Sequence, residues 1–180
     1  MNFVRVYVYL GKAVIPTVVR SAQGMFVDRE PLKVIDCFDI PGIKEAVVQA
    51  WTQGICLMDE TQENYDSEAE TESPESIIAA AVGLTRWDKF ERHAVLYSLY
   101  NGKDSIQLVS TGRADNGMWS KSGGLSLEFD PDTKPEILAE YLVDDIVNLP
   151  EAKSEPPVKL LTTGLRTTKP ESLEASKQEN

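Results

Sequence analysis

The sequence has one histidine, two cysteines and no long hydrophobic run among its 180 residues. Each shortage excludes something. His93 is the sole imidazole, at the end of a predicted helix. A nucleophilic site would need Ser or Cys in reach of it and a carboxylate to orient it. Ser98 and Asp88 are available, but no spacing singles them out, so no catalytic residue is expected. Cys37 and Cys56 belong to no CxxC motif and make no disulfide framework. Both sit in apolar contexts ("DCF", "GICLM") where cysteine behaves as a small hydrophobe. A reduced, cytoplasmic setting fits them. The glycines of "GKDS" and "SGG" lack the strand–glycine–helix context of a phosphate cradle. The opening "MNFVRVYVYLGKAVIP" alternates and carries Arg5, which describes a strand and not a signal peptide. Nothing approaches the roughly 20 apolar residues of a membrane span.

Basic residues are also scarce. Net charge is −11 and the pI about 4.6, against the basic face that nucleic acid requires. Eight carboxylates and no Lys or Arg fall within residues 59–75, leaving −3 for the rest. Residues 58–76 contain no glycine and no D-x-[DN]-x-[DN]-G pattern, so they are not a calcium loop. No metal or cofactor is expected. The segment reads either as a solvated linker or as a surface that steers a basic partner.

What is present is periodicity. "FVRVYVYL" places Val4, Val6 and Val8 on one face and Phe3, Arg5, Tyr7 and Tyr9 on the other, which predicts a strand. "AVIPTVVR" is a second strand that Pro16 confines to an edge or a bulge. "MFVDRE" and "PLKVIDCF" read as two short strands divided by Pro31. "DIPGIKEAVVQAWTQG" is a helix capped by Asp39 and ended by Gly54. "SPESIIAAAVGL" is a helix capped by Ser73, and "TRWDKFERH" one capped by Thr85 with Asp88 three residues on. "AVLYSLYNGKDSIQLVS" is a hairpin turning at Asn101-Gly102. After "LSLEF" comes a last helix within "DPDTKPEILAEYLVDDIVNL", capped by Asp132 or Thr133 with Pro135 in its first turn.

Strands before the first helix and after the third, joined by short connections, predict an α+β fold. It would be a mostly antiparallel sheet with three to four helices packed on one face. Residues 1–150 form one domain with the acidic loop 58–73 inserted between helices. Residues 151–180, rich in Pro, Ser, Thr, Glu and Lys, read as a disordered or weakly ordered tail.

Three stretches carry a resemblance: "AVIPTVVRSAQGMFVDREPLKVIDCFDIPGIKEAV", "TRWDKFERHA", and the hairpin running into "TGRADNGMW" and the closing helix. Together they resemble the immunity proteins of bacterial contact-dependent growth inhibition and polymorphic toxin systems, over roughly residues 1–148. The resemblance implies a non-enzymatic binding protein that covers a cognate toxin domain, often a basic nuclease. Asp59, Glu60, Glu63, Asp66, Glu68, Glu70 and Glu72 would then steer the partner, with Trp119, Tyr7 and Tyr9 as anchors. Nucleic acid and membrane are not expected partners. An acidic adaptor or secretion-type chaperone fits the same composition. An enzyme would have to use the cluster Asp88, Glu91, Arg92 and His93, which reads equally as a solvated helix face.

Overall fold

The structure, a computed structural model, describes residues 1–57, 74–114, 119–120 and 123–153. The seven loop carboxylates named above lie outside them, as do Ser73 and residues 154–180.

Strand β1 (Phe3–Tyr9) obeys its alternation: Val4, Val6 and Val8 are fully buried on one face, and Tyr7 and Tyr9 face the other way. A two-residue turn at Leu10 and Gly11, both at positive φ, returns the chain as β2 (Lys12–Arg20). The β2–β3 register shifts between Ile15 and Thr17. Pro16 has no N–H to give the ladder, so a bulge takes it up. β3 (Phe26–Asp36) runs unbroken through a cis Glu30–Pro31 bond, where two strands were expected. It is an edge strand, and an edge tolerates proline.

Helix α1 (Ile40–Gln53) begins as predicted, with Asp39 Oδ1 accepting from the Gly42 N–H at 3.1 Å. Gly54, at φ 67°, ends it. β4 (Cys56–Leu57) pairs in parallel with β2. Next come α2 (Pro74–Ala81), α3 (Trp87–Glu91), β5 (Ala94–Asn101), β6 (Ile106–Ser110), β7 (Gly112–Arg113), β8 (Trp119–Ser120) and β9 (Ser126–Phe129). Helices α4 (Pro135–Ile146) and α5 (Pro150–Lys153) close the described chain.

The fold is α+β. Its main sheet has the order β3-β2-β1-β5-β6-β9, antiparallel throughout, with β4 added beside β2. Helices α1, α4 and α5 bury Ile43, Val47, Leu138, Leu142, Ile146 and Ala152 against the valine face. This is the expected antiparallel sheet with three helices packed on one face, and the second face is covered in part as well. α2 and α3 set Ile78, Ala79 and Phe90 against Tyr7, Tyr9 and Val14 on the opposite face. The aromatic side of β1 had to be covered by something apolar, and α3 supplies Trp87 and Phe90. The body also runs past residue 150, since Ala152 is buried and the Gly11 N–H donates to the Glu151 carbonyl at 2.9 Å.

The predicted "SGG" loop turns at Gly123 (φ 83°) and then passes close to β6. A Cβ on Gly124 would lie 2.0 Å from the Ser110 carbonyl oxygen. The same two segments exchange Ser110 N–H to Leu125 O (3.0 Å) and Leu125 N–H to Ser110 Oγ (2.8 Å). Gly124→Ala is therefore expected to destabilise by roughly 2–3 kcal/mol in urea titration, as an overpacking change does. Gly123→Ala has open space around it and should cost only about 1 kcal/mol for its backbone conformation. Equal losses would contradict this account.

Candidate interaction site

The second face of the sheet gathers five aromatic rings. Tyr9 and Phe90 stack with centroids 5.1 Å apart, Trp87 lies 5.1 Å from Phe90, and Tyr7 contacts Trp87, Phe90 and Trp119 at 5.9–6.3 Å. Trp119 meets Trp87 edge-on at 5.5 Å and donates its indole N–H to the Ala94 carbonyl at 2.7 Å. Its backbone N–H points at Glu91 Oε1, 3.4 Å away. Short α3 and the β7–β8 ladder thus hold the ring half-buried, with one side walling a cleft.

Tyr7 and Tyr9 do not serve as surface anchors, which corrects their placement as partner-contacting residues. They are only 4% and 8% exposed, under α3. Tyr7 also gives its hydroxyl proton to Asp28 Oδ2 at 2.5 Å. Burial, then the Asp28 charge, holds its phenol protonated far above the ordinary range. Asp28 is itself 3% exposed and has Arg5 Nη1 3.1 Å from its Oδ1. That approach lacks hydrogen-bond geometry, and among the described residues Arg5 Nε has no hydrogen-bond partner. Arg5 caps the Phe3 ring at 5.1 Å. The bulge at Pro16 lies in β2, between the two strands that this trio bridges.

Beyond Trp119 the second face is only partly roofed. Cross-strand pairing of Tyr7 with Leu96, Arg5 with Ser98 and Phe3 with Tyr100 puts Leu96, Ser98 and Tyr100 of β5 on this face. Val109 and Gln107 of β6 join them opposite Ser98 and Tyr100. These side chains are half-buried; Leu96 packs against the cluster that α2 and α3 cover, and Tyr100 and Val109 lie outside it. Leu96, Ser98, Tyr100 and Val109 line a cleft of about 440 Å³ with Trp119 and Ser120 on its wall. Tyr100 donates to Gln107 Oε1 at 2.6 Å, and Gln107 Nε2 to Glu128 Oε1 at 3.2 Å. Of the anchors expected from sequence, the structure brings only Trp119 here. Ser98, Tyr100 and Val109 were missed, although the alternation of 94–110 already put them on one face.

Asp88, Glu91, Arg92 and His93 lie along α3 and the turn that follows it. Asp88 is held by Arg86 through two bonds of 2.8 and 2.6 Å at the surface, and the Arg86 guanidinium keeps its carboxyl below the usual range. The predicted capping box is therefore absent: Arg86 is the N-cap and makes no side-chain cap bond. His93 and Arg92 are exposed in the turn before β5. Cys37 is the small buried hydrophobe expected, and burial, then the Asp36 charge, pushes its thiol up to about 12. Among the described residues, no three His, Cys, Asp or Glu converge as metal ligands would, and no helix is long and apolar enough to cross a membrane.

The architecture defines an α+β protein with an antiparallel sheet helical on one face and half-roofed on the other. It shares this fold with a protein of unknown function, NMB0488, from Neisseria meningitidis (TM-score 0.52, 12% identity, covering 77% of this chain and 89% of that one). A chain of the CdiA-CT/CdiI toxin and immunity complex from Yersinia pseudotuberculosis is also similar (TM-score 0.47, 13% identity, covering 80% and 95%). No protein-family model matches the sequence, and no curated protein does so significantly.

Proposed function

We propose that this chain is a non-enzymatic immunity protein that neutralises a cognate toxin domain by direct contact, in the cytoplasm. The carrying observation is the half-roofed sheet face, where Trp119 and Tyr100 stand half-buried beside a cleft. Tyr and Trp are the residue types that anchor protein interfaces. The sequence likeness of residues 1–148 to immunity proteins supports the same reading. So does the concentration of negative charge in residues 59–75, suited to a basic toxin such as a nuclease.

Coexpression with the product of the adjacent upstream reading frame is expected to yield a tight complex whose association slows as salt rises. If that product is unrelated to toxins, or no complex forms, the proposal fails. The acidic segment has its own test. Replacing Glu60, Glu63, Glu68 and Glu70 with Gln should slow association by roughly 10-fold at low salt, with little change at high salt, because steering acts on encounter. The melting temperature should stay within a degree or two. A large loss of stability would show that the segment is structural.

A further inference from the structure

The cleft has a direction and a chemistry that narrow what can enter it, if the neutralising role above is accepted. It runs along β5 from Leu96, beside Trp119, to Tyr100. Four residues of strand separate these ends, roughly 13 Å. An aromatic ring therefore stands at each end, and the register of β1 and β5 sets Ser98 between them. Carboxylates flank both ends. Glu91 receives the Trp119 N–H, and Glu128 is tied to Tyr100 through Gln107. Arg5, cross-strand from Ser98, has its charge committed to Asp28 while its plane caps Phe3. The site thus offers π-faces, a hydroxyl acceptor and peripheral negative charge. That combination suits a guanidinium or ammonium, which stacks on aromatic faces and hydrogen-bonds at its rim.

We infer that this cleft receives an arginine or lysine side chain from a short basic segment of the protein partner. The seat lies between Trp119 and Tyr100.

The test uses the full-length protein and two probes. The first probe is arginine amide at millimolar concentration, with leucine amide as control, followed by the NMR signals of the three tryptophan indoles, that of Trp119 being assigned with Trp119→Phe. Arginine amide is expected to shift the Trp119 signal saturably, several-fold more weakly at high salt, and to leave Trp51 and Trp87 in place. No shift, or an equal shift with leucine amide, overturns the inference. The second probe is the toxin domain encoded upstream. Val109→Lys and Val109→Glu remove the same packing from β6 and differ in sign of charge. Val109→Lys should weaken binding at least 10-fold more than Val109→Glu does. Equal losses, or an unchanged affinity in both, overturn the cleft assignment and leave the neutralising role standing. If the wild-type chain forms no complex, the role falls, and the arginine amide titration still decides the chemistry of the cleft.

Discussion

Between about pH 10 and pH 13 the protein is expected to unfold cooperatively. Three buried groups hold protons in the native state that the unfolded chain releases. Tyr7 and Tyr97 are both held protonated well above the ordinary phenol value, chiefly by burial, and Cys37 is pushed up to about 12. Tyr97 is fully buried and donates to the Asp145 carboxylate, so ionising it would set two negative charges together away from water. Their unfolded values are about 10 for tyrosine and 8.5 for cysteine. A group with a raised native pKa contributes stability that is complete below its unfolded pKa and is lost as pH rises beyond it. Each such group costs about 1.4 kcal/mol per pH unit, so three together cost roughly 4 kcal/mol per unit above pH 10. A domain with about 5–15 kcal/mol of stability is exhausted within two or three units. Circular dichroism against pH should show the collapse, and tyrosinate absorbance should show two of the six tyrosines ionising only with it. If all six titrate while the helical signal persists, the account is wrong. Tyr97→Phe should make the decline shallower.

What the sequence disclosed and what it withheld divide along the range of the forces involved. The β1 alternation, the Asp39 cap, the Gly54 stop and the β5–β6 hairpin depend on neighbours a few residues away, and all are present. Local signals failed where a competing partner stood nearby. Asp88 was expected to support a Thr85 cap and is captured by Arg86. The last helix was given Asp132 or Thr133 as cap and starts from Lys134 with no side-chain cap bond. The hairpin turn is four residues, closed by Gly102 N–H to Ser105 O, and not the two of Asn101-Gly102. Pro31 reads as a break because nothing local reveals that its strand is at the edge. The candidate site failed for a longer-range reason. Period two sorts Tyr7, Tyr9, Leu96, Ser98 and Tyr100 onto one face. It cannot say that α3 roofs the tyrosines of β1 and stops short of Tyr100. The anchor that was found, Trp119, was legible only as an aromatic stranded in a polar loop.

Asp28→Ala is expected to be the most damaging single substitution on the half-roofed face. It removes at once the acceptor of the Tyr7 hydroxyl and the counter-charge of Arg5, whose side chain is only 22% exposed. Breaking a buried pair costs about 3–5 kcal/mol, and Arg5's partial exposure puts the expected loss near 3 kcal/mol. The pair itself need not be stabilising. Arg5 Nε and Asp28 Oδ1 are buried without hydrogen-bond partners among the described residues, so part of the desolvation cost is uncompensated. Arg5→Met combined with Asp28→Leu should therefore recover the share of the Asp28→Ala loss that the unpaired Arg5 charge causes, the Tyr7 hydroxyl still lacking its acceptor, measured by urea titration. If the double replacement is as unstable as the single one, the trio is a net contributor to the fold. Recovery would point to another reason for its presence: Asp28 keeps the charge of Arg5 away from a cleft lined with aromatic rings. The same pair of variants separates these roles. Asp28→Asn, nearly isosteric, frees the guanidinium and should weaken capture of a basic partner beyond what its stability loss explains. The Met/Leu replacement, which carries no charge there, should bind as the wild type does.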